Sequence, residues 1–128
     1  MSNAKLPVEK QKDAQNEHVL EGFFDVAFLN RQTMGNTKLK VEILQLFATQ
    51  LKIHAQALQS DAAIDELKVR VHTLKGASLG VGAERLAQIA KSVEAPMLDG
   101  DAPDPGDIEN LRLCVTDTLN CIGRFLAK

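Results

Sequence analysis

Apolar residues recur along this chain at helical spacing, and no stretch alternates with the period of two that a half-buried strand requires. Residues 5–21 are polar and poorly patterned, and they read as a loosely attached helix or a tail. After Gly22, Asp25 is placed to cap a short helix over Val26–Gln32, with Phe24, Phe28 and Leu29 facing a core and Gly35 stopping it. Asn36 caps the next helix, which reaches to about residue 60 with Leu39, Ile43, Phe47, Leu51 and Leu58 on its stripe and Leu46 and Ile53 beside them. A third helix is predicted over 61–79, turning Ile64, Leu67, Val71, Leu74 and Ser78 inward until Gly80 and Gly82 break it. The fourth starts near Ala83 and carries Leu86, Ile89, Ala90, Val93 and Met97. It should end or kink at Pro96, which has no backbone N–H. A linker over 99–106 holds two prolines and two glycines. The last helix then begins at about Asp107, with Ile108, Leu111, Val115, Leu119, Ile122 and Phe125 or Leu126 on one seam.

Four amphipathic helices with short joints make an all-α fold, an antiparallel four-helix bundle, with a short additional N-terminal helix capping one end. The bundle domain is expected over 22–128. Residues 1–21 precede it, and Ser2-Asn3-Ala4 resembles the scar left by tag removal.

Composition narrows the function. At 128 residues, 45% hydrophobic and 25% charged, the chain is long enough for one cored domain and too polar to lie in a membrane. A net charge of −2 with no Trp or Tyr argues against nucleic acid, so any partner must read a local patch. Cys114 and Cys121 are seven residues apart on one helix, roughly 10 Å along its axis, too far to bridge each other. They read as reduced core thiols, which places the protein in the cytoplasm.

The chemistry concentrates in Val71-His72-Thr73-Leu74-Lys75-Gly76 and the residues after it. With Leu67, Val71, Leu74 and Ser78 turned to the core, His72 sits about 100° round from Val71, on the flank. Lys75 and Gly76 are three and four residues on and share that flank. A glycine inside a helix costs roughly 1 kcal/mol relative to alanine. The space it opens beside the imidazole would let another protein's backbone approach, and Lys75 adds a positive charge. An accessible imidazole, a cation and a bare patch of helix can hold a transient phosphoryl group.

His72-x-Leu74-Lys75-Gly76, with Gly82 ten residues after the histidine, resembles the signature of histidine-containing phosphotransfer (HPt) domains. The likeness extends through Phe24 to Leu29, Leu44 to Phe47, and Gly82-Ala83-Glu84-Arg85-Leu86 to Val93-Glu94, and it covers about Phe24 to Lys128, some four-fifths of the chain. The resemblance implies a phosphorelay intermediate with no kinase activity of its own. His72 would accept a phosphoryl group at Nε2 from a receiver-domain phosphoaspartate or a histidine kinase system and pass it to a response-regulator aspartate. Lys75 matches the lysine that helps neutralise the phosphoryl charge, and Glu94 the hydrogen-bond acceptor for Nδ1. Gly76 matches the glycine that leaves room for the partner, and Leu79 and Ala83 are expected in the docking surface. Response-regulator receivers and a hybrid sensor histidine kinase would be the partners of a monomeric carrier. Mg²⁺ is expected on the receiver, with no cofactor on this chain. Two positions depart from the family pattern: Val71 stands where alanine is usual, and Pro96 predicts fraying just after Glu94.

Other readings stand beside this one. The chain could be an interaction module that binds a receiver or kinase without carrying phosphate, or a bundle holding a metal or ligand. His18 and His54 lack i, i+4 partners and the company of a CxxC or HExxH motif, so no metal is expected; His54 reads as a core residue. Gly82-Ala83-Glu84-Arg85 lacks the Gly-Lys-Ser/Thr order of a phosphate loop.

Overall fold

Three of the helices begin where the sequence supplies a side-chain acceptor for an otherwise unpaired backbone N–H. Asp25 Oδ1 accepts from Phe28 N–H at 3.0 Å, Asn36 Oδ1 from Leu39 N–H at 2.9 Å, and Asp104 Oδ1 from Gly106 N–H at 2.9 Å. The computed structural model describes residues 17–58 and 61–127. Within them lie α1 over 17–20, α2 Val26–Gln32, α3 Thr37–Ala57, α4 Ile64–Val81, α5 Glu84–Leu98 and α6 Pro105–Leu126, with no strand among the described residues. The tag scar expected at Ser2-Asn3-Ala4 lies outside the described residues.

α3 packs on α4 and α6, and α5 packs on the same two helices, so α4 and α6 stand diagonally across a four-helix bundle. The joints between successive helices are short, which makes neighbours antiparallel. α2 rests on α4 and is tied to the α4–α5 turn by a 2.8 Å hydrogen bond from Asp25 N–H to the Gly82 carbonyl. Leu44, Leu51, Leu74, Leu86, Leu111 and Ile122 are among the side chains that fill the centre. Leu20 is fully buried in that core as well, so packing begins before residue 22. No helix among the described residues is long and apolar enough to cross a membrane.

Several boundaries differ from the sequence reading. The buried face of α3 runs through Lys40, Leu44, Phe47, Leu51 and His54, one position round from the expected Leu39 and Ile43, while Leu46 and Ile53 are exposed. Lys40 can be buried because its ammonium reaches Glu17 Oε2 at 2.6 Å. α4 starts three residues later than expected, with Ile64 partly exposed, and it runs through Gly80. It ends only at Gly82, whose φ of +76° is the left-handed turn that closes a helix. α5 continues past Pro96 to Leu98, since a proline in the last turn removes a single backbone bond. α6 starts at Pro105 and not at Asp107: the first helical residue needs no N–H, and Asp104 caps it.

Candidate functional site

Leu67, Val71, Leu74 and Ser78 are buried along the inner stripe of α4, and this fixes the rotation of the helix. His72 is thereby turned to the flank with 68% of its side chain exposed. The tight turn at Gly82–Ala83 lays α5 back along α4 and brings Glu94 opposite the histidine. One Glu94 oxygen, Oε2, lies 2.7 Å from His72 Nδ1, and the other, Oε1, accepts from Lys75 Nζ at 2.6 Å. The carboxylate is only 3% exposed, so it is a buried bridge between two groups that reach toward the surface.

The protonation of the site follows from these contacts. The hydrogen bond from Lys75 is the main influence holding the Glu94 carboxyl below its ordinary 4.5; burial opposes it, and the His72 hydrogen bond assists it. An ionised carboxylate can only accept, so His72 Nδ1 must be the protonated ring nitrogen. Nε2 is left with its lone pair, on a ring that faces solvent. The arrangement is an accessible imidazole with its tautomer fixed from behind.

The outer surface of α4 around the ring is bare and partly apolar. A methyl group added at Gly76 or Gly80 would meet nothing within 4 Å, so neither glycine serves to pack a neighbouring helix. Leu79 is 57% exposed and Val69 63%. Ala83, expected in the docking surface, is fully buried. It caps α5 from inside the core, and its N–H donates to the Ser78 carbonyl at 2.8 Å. The sequence reading missed Val69 and Gly80, although their offsets of −3 and +8 from His72 put them on its side of the helix. It also missed a groove of about 240 Å³ between α4 and α5, lined by Lys75, Leu79, Glu84, Ala87, Gln88 and Lys91.

The remaining candidates stay apart from this cluster. His54 is buried in α3, where burial and, secondarily, the charge of Arg70 hold it below its ordinary 6.5. Cys114 and Cys121 are buried free thiols of α6, both pushed up by burial. A wider cleft of about 540 Å³ between α5 and α6, lined by Arg85, Ser92, Asn110 and Asp117 among others, includes none of His72, Lys75 or Glu94. Among the described residues no three His, Cys, Asp or Glu side chains gather to hold a metal ion.

Comparison with protein-family models matches residues 41–121 to the Hpt domain. The matched span is well over half of the chain and contains His72, Lys75, Gly76 and Glu94. No curated protein matches the chain.

Proposed function

The chain belongs to the Hpt domain family, phosphotransfer modules of two-component signalling, and from that premise we propose that His72 is the phosphoacceptor of a phosphorelay intermediate. The observation that carries this reading is the exposed imidazole whose Nδ1 is held by the buried Glu94 carboxylate. The Nε2 lone pair attacks the phosphorus of a receiver phosphoaspartate. The N–P bond forms as the P–O bond breaks, and the aspartate leaves as a carboxylate with the bonding electrons. The Nδ1 proton stays on the ring, which becomes cationic, and Glu94 stabilises that charge at 2.7 Å. Transfer to the next aspartate is the same displacement run in reverse.

Phosphoryl transfer depends mainly on positioning and charge neutralisation, so the protein need supply little beyond the ring, its neighbours and a docking face. Gly76, Gly80, Val69 and Leu79 suit close approach by a receiver or a hybrid histidine kinase, and the receiver would bring Mg²⁺. We place this as a monomeric carrier in the cytoplasm. The test is incubation with a phosphorylated receiver. Acid-labile, base-stable label on the wild type and none on His72→Gln is expected. Tight receiver binding with no label on the wild type would reduce the protein to an interaction module.

A further inference from the structure

A phosphoryl group on His72 would meet a site that is already electrically balanced. Lys75 is bound to Glu94 at 2.6 Å, and their two charges cancel. The incoming group carries about two negative charges at neutral pH, close to the Glu94 carboxylate. If Lys75 swings out to the phosphoryl oxygens, Glu94 loses its main hydrogen-bond partner. If it stays, the ring made cationic by phosphorylation leaves the triad with a single net positive charge against the phosphoryl group's two negative ones. Either way the site is one cation short.

Lys91 is a further cation beside Lys75. It lines the same groove as Lys75, with Leu79, Ala87 and Gln88. It is exposed and makes no salt bridge among the described residues. It stands three residues before Glu94 on α5, which makes the two near neighbours on the helix surface. Glu94 cannot readily capture it, because both carboxylate oxygens are already engaged. The one carboxylate that lines the groove, Glu84, is seven residues before Lys91, roughly 10 Å along the helix. Lys68, one turn before His72 on α4, is half-buried and does not line this groove.

We propose that Lys91 is the second cation of the phosphotransfer site, moving along the α4–α5 groove to meet the phosphoryl oxygens while Lys75 remains with Glu94. The proposal rests on His72 being the phosphoacceptor. It makes the groove, and not only the open face of α4, part of the surface a phosphorylated receiver engages. Its chemistry suits an anionic, oxygen-rich group that enters beside Leu79.

The test compares transfer from a phosphorylated receiver to the wild type, Lys91→Gln, Lys91→Arg and Arg124→Gln at receiver concentrations below saturation. Arg124 is exposed on α6, the helix diagonal to α4, and does not line the groove, so its loss changes net charge equally without touching it. Lys91→Gln should slow transfer about tenfold, the order expected when one charge several Å from a doubly charged group is removed in partly screened surroundings. Lys91→Arg should restore most of the rate, and Arg124→Gln should match the wild type. The ³¹P resonance of the phosphorylated protein should also move in Lys91→Gln, which a purely structural role would not produce. Lys91→Gln within about twofold of the wild type, or slowed no more than Arg124→Gln, overturns the proposal. A wild type that never takes label at His72 removes the phosphoacceptor reading and this proposal with it, whereas normal labelling of Lys91→Gln removes this proposal alone.

Discussion

Glu94 Oε2 and His72 Nδ1 lie 2.7 Å apart although 22 residues separate them. The contact exists because α5 doubles back along α4 after Gly82. Its consequence is a single tautomer, with the proton on Nδ1 and the lone pair on Nε2. Glu94→Ala should therefore leave the bundle folded but mix the tautomers, which ¹⁵N chemical shifts of the His72 ring report directly. Transfer to the variant should fall in the same proportion as the Nδ1–H population. An unchanged tautomer ratio would mean that Glu94 does not set it.

Lys75 is the main partner of that carboxylate, so its removal should be felt before any phosphate arrives. Lys75→Ala leaves Glu94 buried with His72 alone, at a cost of about 2 kcal/mol in urea unfolding. Lys75→Arg should recover part of this. A lysine that served the phosphoryl group only would show no loss of stability in the unphosphorylated protein.

Two glycines ten residues or fewer from His72 should respond to alanine in opposite ways. At Gly76 a Cβ meets nothing within 4 Å, so Gly76→Ala should gain up to about 1 kcal/mol of stability from helix propensity while slowing transfer by obstructing the partner. Thermal unfolding and transfer kinetics on one preparation check both halves.

Gly82 is the contrasting case. Its φ is +76°, and a Cβ there would come 2.9 Å from Phe28 Cδ2 and 3.2 Å from the Asp25 carbonyl oxygen. Strain and collision add, so Gly82→Ala should destabilise the protein by about 1–3 kcal/mol. It should also loosen α2 from the α4–α5 turn, read out as faster amide exchange at Asp25, whose N–H donates to Gly82.

How far the sequence predicted this site depended on whether a residue's setting was local. The rotation of α4 follows from Leu67, Val71 and Leu74, and with it the flank position of His72, because one helix's own stripe decides both. Lys40 was unreadable for the opposite reason: a lysine joins a buried face only when a counter-charge arrives from elsewhere, here Glu17 in α1. Ala83 was misplaced on the surface because a small residue beside a glycine turn looks the same whether the turn is bare or covered by α2. Pro96 suggested fraying near Glu94, yet a proline in a last turn costs little, and α5 reaches Leu98. The groove that holds Lys91 needs two helices in register, and no single-helix pattern displays it.

The buried His54 and Glu94 make acid stability fall in two separable steps. Burial, then Arg70, hold His54 below its ordinary 6.5 in the fold, whereas the unfolded chain takes up the proton normally. The unfolded state therefore binds more protons below 6.5, and stability falls as pH drops through that window, by at most about 1.4 kcal/mol per pH unit for one group. Lys75 holds Glu94 below 4.5, so the stability its ionised form contributes is complete above 4.5 and is lost as pH falls through its folded value. Urea midpoints measured across the acid range should decline from about pH 6.5 and fall again below about 4.5. His54→Gln should flatten the upper step and spare the lower, and Glu94→Gln should do the reverse. An upper step of full size in His54→Gln would assign that proton to another histidine and detach His54 from the acid response of the fold.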